Sequence, residues 1–230
     1  DDIGYGNSCI VYKAYQKSTN RYVAIKIFGE DYLMNNYPYL RRELALLLSL
    51  QEYNSKYIVT FIGYNAGDDL WVITDLYQGD LCSANSHLTP FQKTKIMFEI
   101  AEGMELLHSK QIVHRDLKTG NILLDGDTPI ITDFGYARTN TPLDKTAEVG
   151  TYNYMAPEVL EGSHYDKSAD VFSYARMLWE LYSGVYPFEG RKDTEIISCI
   201  QNDVQLPFPK PLSTELKELI VCGCAHNPQN

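Results

Sequence analysis

The stretch IVHRDLKTGNILLD, residues 112–125, constrains what this chain can fold into more than any other. His114, Arg115, Asp116, Lys118 and Asn121 fall within eight residues, between the apolar pair Ile112–Val113 and the apolar run Ile122–Leu124. Both flanks read as short buried strands, so the polar residues form a loop held at each end by the core. A solvated surface turn would not need a base, a cation and an amide at fixed spacing, although the motif alone leaves that plainer reading open.

The chain's bulk properties bound the answer. At 230 residues it fits one large domain or two small lobes. The net charge of −10 argues against a nucleic-acid surface, which needs an excess of Lys and Arg. No run of 18 apolar residues is present, so no membrane span is expected. No signal peptide is read, and the abrupt start leaves the N-terminus open. Five cysteines at irregular spacing suit reduced thiols in a cytoplasmic protein. The cluster Cys222, Cys224 and His226 lacks the second pair that a zinc site would need.

Along the chain the character changes once. CIVYKAY (9–15) and RYVAIKIF (21–28) are β-branched and aromatic, and KSTN between them is turn chemistry, so they predict a hairpin. YLRRELALLLSL (39–50) predicts a helix, with Leu40, Leu44, Leu47 and Leu48 on one face. YIVTFIGY (57–64) and DLWVITDLY (69–77) predict two more strands around the turn NAGD. After a polar segment near 75–80, Thr89-Pro90-Phe91-Gln92 is a capping box with proline at the first helical position. Ile96, Ile100, Met104 and Leu107 continue it with a helical period, and residues 167–183 and 213–225 are further helices. The expectation is an α+β, two-lobed body with a ligand cleft between the lobes.

Four further elements accompany the opening loop in order. IGYGNSCIV sets Gly4 and Gly6 in a turn, where backbone N–H groups approach phosphate without a Cβ in the way, although most glycine pairs are only hairpin turns. VAIK puts Lys26 inside a strand. Glu43 lies on the helix, where it would pair with that lysine. TDFG sets Asp133 seventeen residues after Asp116, and GTYNYMAPE (150–158) follows.

In this order the motifs resemble the eukaryotic protein kinase family, over essentially the whole chain. HRDLKxxN with DFG is highly specific, and the glycine loop is not. The resemblance implies one kinase domain over 1–230, clipped at both ends, with a strand-rich N-lobe at about 1–76 and a helical C-lobe at about 77–230. It implies ATP and Mg2+ as cofactors and protein substrates as partners, with no nucleic acid. Asp116 would accept the substrate hydroxyl proton, Asn121 and Asp133 would hold Mg2+, and Lys118 would face the γ-phosphate. Lys26 would contact the α- and β-phosphates, held by Glu43. Ile3, Val11 and Ala24 would sandwich the adenine and Thr74 would guard the back of its pocket. Asp75 and Tyr77 would lie in the hinge, with Asp80 reaching the ribose. His114, Phe134, Leu47 and Phe61 resemble the stacked spine that links the lobes, anchored by Asp170.

Lys118 and Thr151 resemble serine/threonine kinases, and GTYNYMAPE with DVFSYARMLWEL resembles their tyrosine-kinase-like branch. By the same resemblance Asp133 to Glu158 is an activation segment, in which Arg115 would pair with a phosphorylated residue. Ala147 holds the usual phosphosite position, so Thr146 and then Thr141 are the candidates, with Thr151 further on. An upstream activator or autophosphorylation would supply the phosphate, in an intracellular signalling role. Cys9 stands where a third loop glycine is usual, and Ala175 replaces a common glycine. The arginine that pairs with Glu158 in the family would fall just past Asn230. A pseudokinase or scaffold is the alternative function. Such chains usually lose one of Lys26, Glu43, Asp116, Asn121 or Asp133, and none is lost.

Overall fold

The computed structural model describes residues 2–5, 9–66, 70–139, 150–162, 166–208 and 212–225. The N-terminal part is a five-stranded antiparallel sheet. Its strands are β1 (Asp2–Tyr5), β2 (Cys9–Gln16), β3 (Arg21–Phe28), β4 (Phe61–Ala66) and β5 (Leu70–Asp75), in the order β1-β2-β3-β5-β4. The β-branched and aromatic runs pair as expected, with Cys9 opposite Phe28 and Gln16 opposite Arg21. Helix α1 (Glu30–Gln51) packs against this sheet. It starts well before the expected residue 39. Its first turns carry two asparagines and Pro38, which break the apolar period from which the helix was read.

The run 57–64, expected as one strand, divides between the two parts. Phe61 onward joins β5, whereas Val59 donates its N–H to the Ile131 carbonyl at 3.0 Å and Ile131 donates to the Tyr57 carbonyl at 2.7 Å. The chain is therefore stitched to the C-terminal part before it enters the sheet.

The rest is mainly helical. It comprises α2 (Leu81–Ala84), α3 (Pro90–Ser109), α4 (Pro157–Leu160), α5 (Ser168–Ser183), α6 (Asp193–Gln201) and α7 (Thr214–Gly223). Short strand pairs lie between α3 and α4: β6 (Ile112–Val113) with β9 (Arg138–Thr139), and β7 (Ile122–Asp125) with β8 (Thr128–Ile131). The capping box at α3 is complete, with Thr89 and Gln92 each accepting from the other's backbone N–H. Ile96, Ile100 and Leu107 bury one face of α3 fully, and α5 is buried along most of its length. Ala175 of α5 sits under α7 at Gly223, where an added Cβ would come within 2.6 Å of the alanine Cβ. One core cluster joins both parts, from Phe28 and Leu47 to Ile131, Phe134 and Trp179. Among the described residues no helix is long and apolar enough to cross a membrane.

Candidate active site

Strand alternation builds the upper wall. Residues directly opposite in antiparallel strands share a face. Lys26 lies opposite both Val11 and Val72, and Ala24 opposite Thr74, so Val11, Ala24, Lys26 and Thr74 line one face of the sheet. Gly4 pairs with Val11, and Ile3 sits half-exposed at an irregularity beside it. Gly6 is outside the described residues.

The Lys26 ammonium reaches Glu43 Oε1 at 3.7 Å and Asp133 Oδ1 at 3.4 Å. Burial works against its charge, but Glu43 and Asp133 together outweigh burial and hold the ammonium protonated beyond its ordinary range. The same ammonium keeps the Asp133 carboxyl below its usual value. Glu43 is more deeply enclosed at 6% exposure, and burial pushes its carboxyl up against the pull of Lys26. The Cys9 thiol borders this group and is pushed up, chiefly by burial.

Below lies the loop between β6 and β7. Buried Asp170 of α5 accepts the backbone N–H groups of His114 and Arg115, each at 2.9 Å, and contacts His108 Nε2 at 2.9 Å. Those bonds hold Arg115 at φ 72°, a left-handed conformation unusual for a side-chain-bearing residue. Asp133 is also left-handed, at φ 64°. His114 and Phe134 are fully buried with ring centroids 5.2 Å apart, and Leu47 and Phe61 belong to the same core cluster.

Asp116 is held on both carboxylate oxygens. Oδ1 accepts from the Thr151 N–H at 2.9 Å and hydroxyl at 3.0 Å. Oδ2 accepts from the Asn121 amide at 2.9 Å and pairs with Lys118 at 3.0 Å. Lys118 also donates to the Thr151 hydroxyl at 2.7 Å. The Asn121 NH2 group bonds both the Asp116 side chain and its carbonyl, which fixes the direction of the amide oxygen. Gly150, at φ 126°, passes so close that a Cβ there would lie 2.9 Å from the Arg115 carbonyl.

The segment joining the two parts differs in detail from expectation. Asp75 is the last residue of β5, and its carboxylate takes the Arg21 guanidinium at 2.6 Å. The Tyr77 hydroxyl folds back to accept the Thr60 N–H at 3.1 Å. Asp80 caps α2, accepting from the Ser83 N–H at 2.8 Å and hydroxyl at 3.1 Å. Its carboxylate is thus engaged locally. Thr141 and Thr146 are outside the described residues, as is His226 of the cysteine cluster. Thr151 is described, and its hydroxyl is committed to Asp116 and Lys118. Glu158 is half-buried, accepts from the Ser168 hydroxyl at 3.3 Å, and has its carboxyl pushed up by burial.

Sequence reasoning missed a buried cluster beneath the loop, Thr119, Tyr154 and Glu180. A threonine in a loop and a glutamate in a helix ordinarily read as surface, and only the alternation of apolar residues around Glu180 hinted at its burial.

Comparison with known proteins follows the same outline. The family profile described as "Protein kinase domain" matches residues 1–230. A probable serine/threonine-protein kinase of Dictyostelium discoideum is 34% identical over 220 residues, covering 90% of this chain and 52% of that protein. Serine/threonine-protein kinase STY17 of Arabidopsis thaliana is 35% identical over 207 residues, 86% of this chain and 36% of its own length. Serine/threonine-protein kinase STE20 of Saccharomyces cerevisiae is 35% identical over 229 residues, 95% and 24% respectively. The chain thus spans about half or less of the length of these relatives.

Proposed function

Because this chain belongs to the protein kinase family, we propose that it is an ATP-dependent kinase that phosphorylates serine and threonine hydroxyls of proteins. The observation that carries this reading is the joint grip of Lys118, Asn121 and Thr151 on the Asp116 carboxylate. Phosphoryl transfer needs positioning and charge neutralisation rather than covalent help. A fixed carboxylate orients the acceptor hydroxyl and takes its proton. Lys118, 3.0 Å from that carboxylate, neutralises charge developing on the transferred group. Lys26, kept cationic by Glu43 and Asp133, grips the α- and β-phosphates.

The donor set fits a phosphate-bound Mg2+. That ion takes one or two protein oxygen ligands and completes its shell with water and phosphate. Asp133 and the oriented Asn121 oxygen supply such a pair, and among the described residues no three His, Cys, Asp or Glu side chains form a metal cage. When bound, Mg2+ would neutralise phosphate charge there. Val11, Ala24 and Thr74, on the Lys26 face of the sheet, would receive the base, with Ile3 at the edge. Asp75 and Tyr77 would contribute mainly backbone to this pocket, since their side chains point to Arg21 and Thr60. All five cysteines are free thiols, which suits a reducing compartment and a cytoplasmic location.

Serine/threonine preference rests on Lys118 and Thr151, which contact each other at 2.7 Å beside Asp116. Incubating the protein with Mg-ATP and an unbiased peptide library, then analysing the phosphoamino acids, tests it. Phosphoserine and phosphothreonine should dominate. A phosphotyrosine majority would overturn the acceptor assignment, and nucleotide binding without transfer would overturn the kinase.

A further inference from the structure

The five-stranded sheet carries a second apolar face. Side chains alternate across it, so the side that bears Val11, Lys26 and Thr74 packs on the core, where Phe28, Leu70 and Val72 are 2%, 5% and 3% exposed. The reverse side holds two apolar rows. Tyr12, Ile25 and Ile73 are neighbours across β2, β3 and β5, and so are Ile10, Ile27 and Trp71. None of these is buried, and Ile10 is 37% exposed. None belongs to the core cluster or packs against it. An antiparallel sheet with one wet face alternates apolar and polar residues, whereas strands covered on both faces read as nearly continuous apolar runs. VAIKIF in β3 and LWVI in β5 are runs of the second kind, interrupted by Lys26 alone. They call for a layer over the reverse face that the described residues do not supply.

Charge and size identify that layer. The strands place Arg21, Asp75 and Asp2 on the reverse face. Arg21 and Asp75 neutralise each other at 2.6 Å, which leaves Asp2 at the edge, opposite Tyr12. A strongly charged partner would find almost no opposite charge here, and an anionic lipid surface calls for a cluster of Lys and Arg. A chain with a net charge of −10 repels its own copy over most of its surface, and on this nearly neutral face that repulsion is weakest. The face also has the extent that a pair needs. Five strands about 4.8 Å apart, the longest eight residues at about 3.4 Å each, cover roughly 600 Å². Two such faces bury about 1,200 Å², the lower end of stable protein interfaces. Trp71 is of the residue type most enriched among the anchors of such interfaces.

We propose that the reverse face of the sheet is where two copies of this chain associate, weakly and sheet against sheet. The pairing is isologous: each copy offers the same apolar rows, so isoleucine, tyrosine and tryptophan side chains meet their like across it. Lys26 and the residues around it lie on the other side of the sheet, so both clefts stay open in the pair. The inference stands apart from the kinase reading, and its test needs no phosphate transfer.

Sedimentation velocity of the chain from about 1 to about 200 µM is that test, and an interface of this size should give a dimer with a Kd on the order of 10 µM. Ile10→Glu sets two like charges in the interface, so its Kd should rise at least about tenfold at a similar Tm. Phe98→Glu is the control: Phe98 is 64% exposed, but on α3 rather than on the sheet, and this variant should dimerise as wild type does. A wild type that stays monomeric throughout would overturn the proposal. So would a dimer that Ile10→Glu leaves intact or that Phe98→Glu abolishes. Binding of a monomeric chain to phosphatidylserine vesicles would overturn it too, by giving the face to a lipid surface. Hydrogen exchange needs no variant: amides of residues 9–16 and 21–28 should exchange several-fold more slowly at the high concentration than at the low one. Equal exchange would overturn the proposal. If Ile10→Glu fails to fold, Ile27→Glu is read in the same way.

Discussion

The Lys26 ammonium, inside the third strand of the sheet, lies 3.4 Å from the carboxylate of Asp133, 107 residues further along the chain. The contact spans the two structural parts. It sets a cation midway between an enclosed glutamate and an aspartate that is 38% exposed and so open to a ligand.

Lys26→Met should reduce phosphate transfer by at least about a hundredfold, the scale for removing one preorganised electrostatic contact. The protein should also lose stability, because Glu43, enclosed at 6% exposure, is left without the cation that faces it. Steady-state kinetics alongside a thermal melt checks both. Turnover above a tenth of wild type would remove Lys26 from the phosphate site.

Asp116→Asn should lose about 10²- to 10⁴-fold in kcat, the usual worth of a general base. The amide would also turn an NH2 group toward Lys118 or Thr151, where donors already converge. Wild-type turnover in this variant would mean that another group takes the proton.

The lowered Asp133 pKa gives stability a defined pH dependence. Below its unfolded value of 3.8 the unfolded chain takes up this proton while the folded protein resists it. The stabilisation is therefore complete above about that pH and is lost as the pH falls through the folded value. Urea melts of wild type and Asp133→Asn should differ by a constant amount from pH 7 to about 5, and the difference should move in favour of the variant toward pH 3. A difference that stayed flat to pH 3 would show that Lys26 does not hold this carboxylate.

Local signals were the legible ones. The hairpin from Cys9 to Phe28 and the Thr89–Gln92 cap follow from residues adjacent in sequence or three apart, and both formed as read. The start of α1 was not legible, because Pro38 and its asparagine neighbours speak against helix locally. The division of 57–64 was hidden because Ile58 and Val59 suit any strand, and their partner Ile131 lies more than seventy residues away. At the site, Asp116, Lys118 and Asn121 sit in one motif, so that they would come together was readable in the sequence. Glu180 was not, because its burial depends on Thr119 and Tyr154 arriving from two other segments.

Gly150→Ala should disable the loop that Asp116 occupies. The residue is at φ 126°, where a side chain is strained, and its Cβ would press the Arg115 backbone carbonyl at 2.9 Å while only touching Asp116 Oδ1 at 3.5 Å. Strain of this kind costs about 1–3 kcal/mol, and relieving it would move Thr151 away from the carboxylate. Activity should fall more than stability does. Full activity in Gly150→Ala would show that the segment end can shift without consequence for transfer.

Arg176→Met should stabilise the protein. Arg176 is 6% exposed in α5, with its guanidinium 5.0 Å from the Phe172 ring and 4.9 Å from the Phe188 ring. Among the described residues its Nε has no hydrogen-bond partner, and burial lowers its pKa. An unsatisfied buried donor costs about 1–3 kcal/mol, more for a charged group. Two ring contacts return about 0.5–2 kcal/mol each, against the several kcal/mol that taking the charge itself out of water costs. Methionine keeps much of the length and the aromatic contact without a charge to desolvate. Arg191 still covers Phe188, at 5.9 Å, so that ring keeps one cation. A net gain of about 1 kcal/mol would raise Tm by about 2–4 °C in a chain of this size. A lower Tm in Arg176→Met would show that the stacked guanidinium gains more from the two rings than it loses by leaving water.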